Sequence, residues 1–142
     1  MNKWRLPFFF FFLVTFLSAC AGNPKKIEIP KDAEKMDVSF SWEGIKACSH
    51  DSPELHVTNI PENTIELRVH LKNLNVPKWN HGGGIVDHDG SGLIPAGFLD
   101  IGYNGPCPES GRNKYEFSVM AVDTQGKIVG FGKAMRRFPP DN

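Results

Sequence analysis

Polar and apolar residues alternate in two long stretches of the chain, with the period of a β-strand. In Ile65–Lys72, the side chains of Ile65, Leu67, Val69 and Leu71 fall on one side, and Glu66, Arg68, His70 and Lys72 on the other. Tyr115–Asp123 repeats the pattern, with Tyr115, Phe117, Val119 and Ala121 on one face. A period of two puts one face of a strand on a core and the other in water. His70 falls on the wet face and reads as a solvated strand histidine. Val38–Trp42 and Leu55–Thr58 are shorter runs of the same kind, and Ile85–Val86 and Leu93–Gly102 suggest further short strands. Ile128–Ala134 returns after Gln125-Gly126 as a hairpin partner, and Arg136–Asn142 reads as a polar, proline-containing end. No stretch carries the spacing of an amphipathic helix, and there is no internal repeat. Many short strands between Gly/Pro turns predict a mainly β, single-domain antiparallel β-sandwich with little helix.

The start of the chain breaks this pattern. Met1–Arg5 holds Lys3 and Arg5, Leu6–Leu17 is apolar with five consecutive phenylalanines, and Leu17-Ser18-Ala19-Cys20 follows. A short basic region, an apolar run and small residues make a secretory signal peptide, and the run is short for a membrane span. Leu-Ser-Ala-Cys resembles the lipobox of bacterial lipoproteins. That resemblance implies removal of residues 1–19 and lipidation of Cys20. Ala21, where an aspartate is absent, implies the outer membrane, with the domain facing the periplasm. Residues 20–37, rich in Lys, Glu and Asp with Pro24 and Pro30, read as a flexible tether. The folded domain is expected over residues 38–140.

Composition then changes in one respect. All 142 residues carry 16 basic and 16 acidic side chains; without Lys3 and Arg5 the mature chain is mildly acidic. No basic patch suggests nucleic acid. Two cysteines remain beside Cys20. In an exported chain, Cys48 and Cys107 read as a disulfide more readily than as a metal or redox pair. Two buried thiols are the other reading.

Candidate chemistry is sparse. Asp87–Ile94 matches the opening of an EF-hand calcium loop, but Phe98 stands where the closing glutamate belongs and Pro95 lies inside. It reads as a polar turn. His50, His56, His70, His81 and His88 show no zinc-ligand spacing. Ser91 lacks the context of a nucleophile elbow, and no histidine sits in the Cys107 loop to activate a thiol. Neither a metal nor a cofactor is expected, and the chain reads as a non-enzyme.

Tyr103–Phe117 stands apart: prolines, glycines and a cysteine form a stiff loop that runs directly into a strand, as ligand-carrying loops on a firm scaffold do. Within it, Gly105-Pro106-Cys107-Pro108-Glu109-Ser110-Gly111 fits the signature G-P-x-P-x-x-G, and Tyr115–Asp123 looks like the strand after it. Earlier, Cys48 followed by Ser52-Pro53-Glu54-Leu55, and Trp79-Asn80-His81, come in matching order. In these segments the chain resembles the phosphatidylethanolamine-binding protein family, or Raf kinase inhibitor-like proteins, in its bacterial branch, over about Phe40–Pro140.

The resemblance implies a β-sandwich with a small pocket for phosphate-like head groups. It implies pocket residues His81 and Tyr115, with Gly105 and Pro106 in the signature loop. Two positions depart from the family. Asn73 opens Asn73-Leu74-Asn75-Val76-Pro77 where D-P-D-x-P is expected, and Asn113 replaces a second histidine. Hydrogen-bonding groups persist there, while most of the charge is gone. Two readings follow: an envelope lipoprotein that binds a small polar or anionic ligand, and an interaction or structural lipoprotein whose pocket has degenerated.

Overall fold

Seven of the eight apolar positions expected on the inner faces of the two long strands are accounted for by one register; Ile65, at a register shift between Thr64 and Glu66, is exposed instead. The computed structural model describes residues 27–140; the expected signal peptide, Cys20 and residues 21–26 of the expected tether lie outside them. Eight strands form: β1 (Glu34–Lys35), β2 (Asp37–Phe40), β3 (Leu55–Thr58), β4 (Thr64–Asn73), β5 (Asn80–Asp87), β6 (Leu93–Ile94), β7 (Asn113–Asp123) and β8 (Ile128–Phe138). They make a five-stranded sheet in the order β1-β8-β7-β4-β5 and a three-stranded sheet in the order β2-β3-β6. No helix forms among the described residues.

Down the centre of the large sheet, Leu67 pairs with Ala121, Val69 with Val119, Leu71 with Phe117, and Asn73 with Tyr115. All eight are buried. The small sheet answers with Phe40, Leu55 and Ile94 in cross-strand register. Trp42, just past β2, fills the space between the sheets; it meets Phe40, Phe117, Tyr115 and Phe138 at ring-centroid distances of 4.9–6.1 Å. Contacts of this kind add about 0.5–1.5 kcal/mol each beyond the area they bury.

The strands lengthen at both ends relative to the alternation. β8 continues through Arg136 and Arg137 to the buried Phe138, because those residues still pair with Tyr115 and Lys114. The two adjacent arginines hide that continuation from a period-two reading. At the start, strand structure begins at Glu34, inside the segment read as tether. β1 pairs with β8 in parallel, the exception to an otherwise antiparallel fold. The chain then crosses to the small sheet at Met36, which is buried and donates its N–H to the Phe131 carbonyl at 2.9 Å. A side chain at Gly132 would meet the Met36 backbone at 2.6 Å, so the crossing needs glycine there.

β5 is longer than the Ile85–Val86 core suggested. It takes in His81-Gly82-Gly83-Gly84, and the glycines serve the backbone. Gly83 and Ile101 exchange both backbone hydrogen bonds, at 3.0 and 3.1 Å, so residues 99–102 lie on the outer edge of β5. A Cβ on Gly82 would fall 2.1 Å from the Gly102 carbonyl oxygen, and one on Gly84 would meet Leu99 at 3.0 Å. The Leu93–Gly102 region is thus one short strand, β6, and one bridge rather than a strand pair.

The Cys48–Cys107 disulfide closes a separation of 59 residues. In the chain-entropy account a loop of that length stabilises the fold by about 4 kcal/mol. The Asp87–Ile94 turn satisfies itself: the Asp89 carboxylate accepts from the Ser91 N–H at 2.8 Å and its hydroxyl at 2.6 Å, which holds the Asp89 carboxyl below its ordinary range. Among the described residues no His/Cys/Asp/Glu group could hold a metal ion.

The contact at Gly82 can be separated from the strain of its positive φ. Gly126 has a similar φ, +77° against +67°, with open space around it. Gly126→Ala is expected to lower stability by about 1 kcal/mol, and Gly82→Ala by about 3 kcal/mol, because overpacking is added to strain. Urea unfolding of the two variants checks the difference; equal losses would show that the 99–102 segment moves aside freely.

Candidate functional site

Three loops meet at the end of the large sheet where β4 stops and β7 starts. The first is residues 74–79. Asn73 ends β4 buried, and its Oδ1 accepts from the Asn75 N–H at 2.9 Å and the Val76 N–H at 3.2 Å. An Asn side chain folding its own following backbone is the ordinary Asx-turn device. Asn75 Oδ1 and the Leu74 N–H then tie the loop to the Lys114 backbone, each at 2.8 Å. The second is residues 103–112, and the third residues 45–50. Those two are joined by the disulfide and by two backbone hydrogen bonds, Cys48 N–H to Pro106 O at 2.8 Å and Gly105 N–H to Ser49 O at 2.9 Å. Cys48 itself sits at φ 60°, a conformation that side chains resist and that the bridge and the hydrogen bond together enforce.

A β-bulge aims His81 into the gap between these loops. Between the pairs His70–Gly83 and Lys72–Asn80, β4 supplies Leu71 alone while β5 supplies His81 and Gly82. Such an extra residue redirects the side chains beside it. His81 is 3% exposed. Its Nδ1 donates to the Asn104 carbonyl at 2.7 Å, and its own carbonyl accepts from the Asn104 N–H at 2.9 Å. A carbonyl can only accept, so Nδ1 carries the proton and Nε2 is the acceptor in the neutral ring. Tyr115 meets the His81 ring edge-on at 5.4 Å, and Trp79 stacks over it at 6.2 Å.

The resulting cleft has a volume of about 380 Å³ and is lined by Asn73, Val76, Trp79, His81, Cys107, Glu109, Ser110 and Asn113. A second hollow of about 270 Å³ adjoins it, sharing Trp79, His81 and Cys107 and adding Gly105, His50 and Asn104. The sequence-derived residues therefore divide. Asn73, His81 and Asn113 converge on one cleft, and Gly105 borders the adjoining hollow. Tyr115 is fully buried and supports His81 from below. Pro106 is buried too and lines neither space; its contribution is the carbonyl that holds Cys48.

The chain's two tyrosines are both buried, and neither hydroxyl has a hydrogen bond of good geometry. Burial pushes both phenols above their ordinary value of 10.0. The Asp51 charge pushes Tyr103 further, whereas the Cys107 backbone and the Asn113 side chain partly offset the rise at Tyr115.

Reasoning from sequence left out Glu109, Ser110 and Val76 as lining groups, and Asn104 as the partner of His81. Glu109 and Ser110 sat within the recognised signature. Asn104 acts through its backbone, so its side-chain identity carried no signal. Ser52 in the early Ser-Pro-Glu-Leu segment is buried, and its hydroxyl accepts from the Leu99 N–H at 3.3 Å, so this segment braces the wall behind the site.

No family model matches the chain. Two solved structures align with it over most of its length. A phosphatidylethanolamine-binding protein homologue, CT736 of Chlamydia trachomatis, aligns with a TM-score of 0.58 and 17% identity, over 77% of this chain and 100% of its own. This chain has the phosphatidylethanolamine-binding protein fold. YbcL of Escherichia coli, a member of the mammalian phosphatidylethanolamine-binding protein family, aligns with a TM-score of 0.57 and 15% identity, over 75% and 99% of the two chains. A 27-residue stretch is 56% identical to a UPF0098 protein of Archaeoglobus fulgidus; it spans 19% of this chain and 9% of that protein's length.

Two measurements check the site's internal chemistry. Nitrogen-detected NMR of the neutral His81 ring is expected to show Nδ1 protonated and Nε2 bare; the reverse would place the Asn104 contact elsewhere. Alkaline titration followed at the phenolate absorbance reports Tyr103 and Tyr115 alone. A folded value raised above the unfolded one makes stability constant below about pH 10 and lost as pH rises beyond it. The folded protein is expected to show less phenolate at pH 10.5 than the urea-unfolded chain, and its urea midpoint is expected to fall above pH 10.

Proposed function

We propose that this chain is an envelope lipoprotein of the phosphatidylethanolamine-binding protein family that binds a small polar or anionic ligand without transforming it. One observation carries the reading: Asn73, His81 and Asn113 border a single open cleft, over a buried Tyr115. A cleft of this volume lies within the range of small-molecule sites. His81 Nε2, the Asn113 amide and the Ser110 hydroxyl supply exchangeable hydrogen-bonding groups around a Trp79 wall. Glu109 brings a carboxylate to the rim, which favours phosphate- or carboxylate-like ligands of low charge over multiply charged ones.

The non-catalytic reading rests on the same geometry. Cys107 is held in a disulfide, so its thiol is no nucleophile. His81 is oriented by a backbone carbonyl rather than by a carboxylate, and no acid–base pair lies at hydrogen-bond distance across the cleft among the described residues. The lipid anchor rests on the Leu17–Cys20 segment, and the outer membrane, facing the periplasm, on Ala21.

A second reading has its own support. Asn73 Oδ1 is already used by its own loop, as a pocket kept only for structure would require. Native mass spectrometry of protein purified from its own envelope separates the two. Wild type is expected to carry a non-covalent small mass that His81→Ala loses at least tenfold, with the disulfide and fold intact. A ligand-free wild type would favour the structural reading. Cys20→Ser is expected to release the protein from the membrane fraction; unchanged retention would remove the anchor.

A further inference from the structure

The outer face of the five-stranded sheet carries a broad groove, bordered at one end by loop 74–79. It has a volume of about 720 Å³ and runs across β8, β7, β4 and the start of β5. Ile27, Ile29, Trp79 and Phe131 give it an apolar lining, and Lys72 and Lys78 stand on its border. Trp79 is 60% exposed and Ile27 is 62% exposed. The facing charges are few. His70 lies in the groove, hydrogen-bonded to Asn80 Oδ1 at 3.3 Å, and Glu116 is bridged to Lys133 at 3.3 Å. Glu28 lies next to Ile27 in the chain, and Lys25 and Lys26 come immediately before it.

The point where the chain enters the domain decides what covers this face. Ile27 lies in the groove itself, and Cys20 is seven residues upstream. Seven residues span at most about 25 Å when extended, and about 15 Å on average when flexible. A domain of this size is roughly 35 Å across. A lipid at Cys20 therefore reaches the bilayer easily from the grooved face and poorly from the opposite one. A short tether also keeps the face beside it at high effective concentration next to the surface. The groups displayed there suit an interface: an amphipathic indole, aliphatic side chains and lysines that favour anionic head groups.

We infer that the outer face of the five-stranded sheet, centred on Trp79 with Lys72 and Lys78, lies against the lipid bilayer. The occupant of the groove is thus the head-group layer of the membrane that holds the anchor. This rests on the lipidation of Cys20 proposed above. It orients the domain with the mouth of the His81 cleft at the level of the head groups, because Trp79 borders both spaces.

The test uses the full lipidated chain in vesicles of phosphatidylethanolamine and phosphatidylglycerol containing a head-group spin-labelled lipid. Trp42 is buried and gives a constant background. The comparison is a Trp79→Phe/Leu93→Trp variant, because Leu93 is exposed in β6 of the small sheet. Quenching at Trp79 is expected to exceed that of the comparison variant at least threefold, and Lys72→Glu/Lys78→Glu is expected to at least halve it. Equal quenching in the two proteins, with an acyl mass found on Cys20, would overturn the orientation alone. An unmodified Cys20 in the same preparation would overturn the anchor and the orientation with it. A dimer that shields Trp79 and leaves it unquenched would assign the face to a second copy and also overturn it.

Discussion

Residues 99–102 lie on β5 with no room for a β-carbon between the two backbones. Much of the site follows from that close approach. Gly82 leaves room for the 101–102 backbone, so Ile101 pairs with Gly83 at the strand edge, which fixes Asn104 two residues beyond Gly102. Asn104 in turn grips His81 by ring and by backbone. The same chain continues into Gly105 and Cys107, whose bonds to residues 48 and 49 close the opposite wall. A histidine that is nearly enclosed, yet keeps one nitrogen toward a cleft, needs this double constraint. Side-chain packing alone would leave the ring free to rotate.

The site also records a change in charge. Where the resembling family carries an aspartate and a second histidine, this chain has Asn73 and Asn113. Asn73 stays useful by folding the loop that follows it, a task an aspartate oxygen performs equally well. What it gives up is a negative charge on the wall of the cleft that His81 shares. With a backbone carbonyl as its orienting partner, His81 keeps its geometry without that charge. Asn113 likewise sits near the Tyr115 hydroxyl as a neutral dipole. The polar lining of the cleft is therefore mostly neutral hydrogen-bonding groups, with the Glu109 carboxylate among them.

The parts of the fold that were readable from sequence are those governed by a single period. The inward positions Leu67–Leu71 and Tyr115–Ala121 followed from alternation, whereas Ile65 is turned outward beside the register shift at Thr64–Glu66, which alternation cannot show. Leu55–Thr58 was marked by the turns around it. β5 was half hidden, since glycines carry no polarity and three in a row erase the period. The β8 extension was masked by the adjacent, exposed Arg136 and Arg137; Arg136 Nε donates to the Phe40 carbonyl at 3.4 Å. The parallel β1 depends on a two-residue contact that no local pattern encodes. At the site, His81, Asn73 and Asn113 came from a resemblance rather than from periodicity. Asn73 and Tyr115 are cross-strand neighbours, a proximity that separate stretches of sequence cannot declare. The buried, supporting position of Tyr115 is set by Trp42 and Phe117 around it.

Trp79 belongs to two spaces at once, stacked on His81 inside and exposed to the outer groove. If both spaces are filled as proposed, a side chain shared in this way links them thermodynamically. Whatever immobilises the indole from the groove alters the free energy of filling the cleft, and filling the cleft alters the hold on the groove by the same factor. The seventy-ninth residue is in that sense a common term in two equilibria, and neither can be tuned without moving the other.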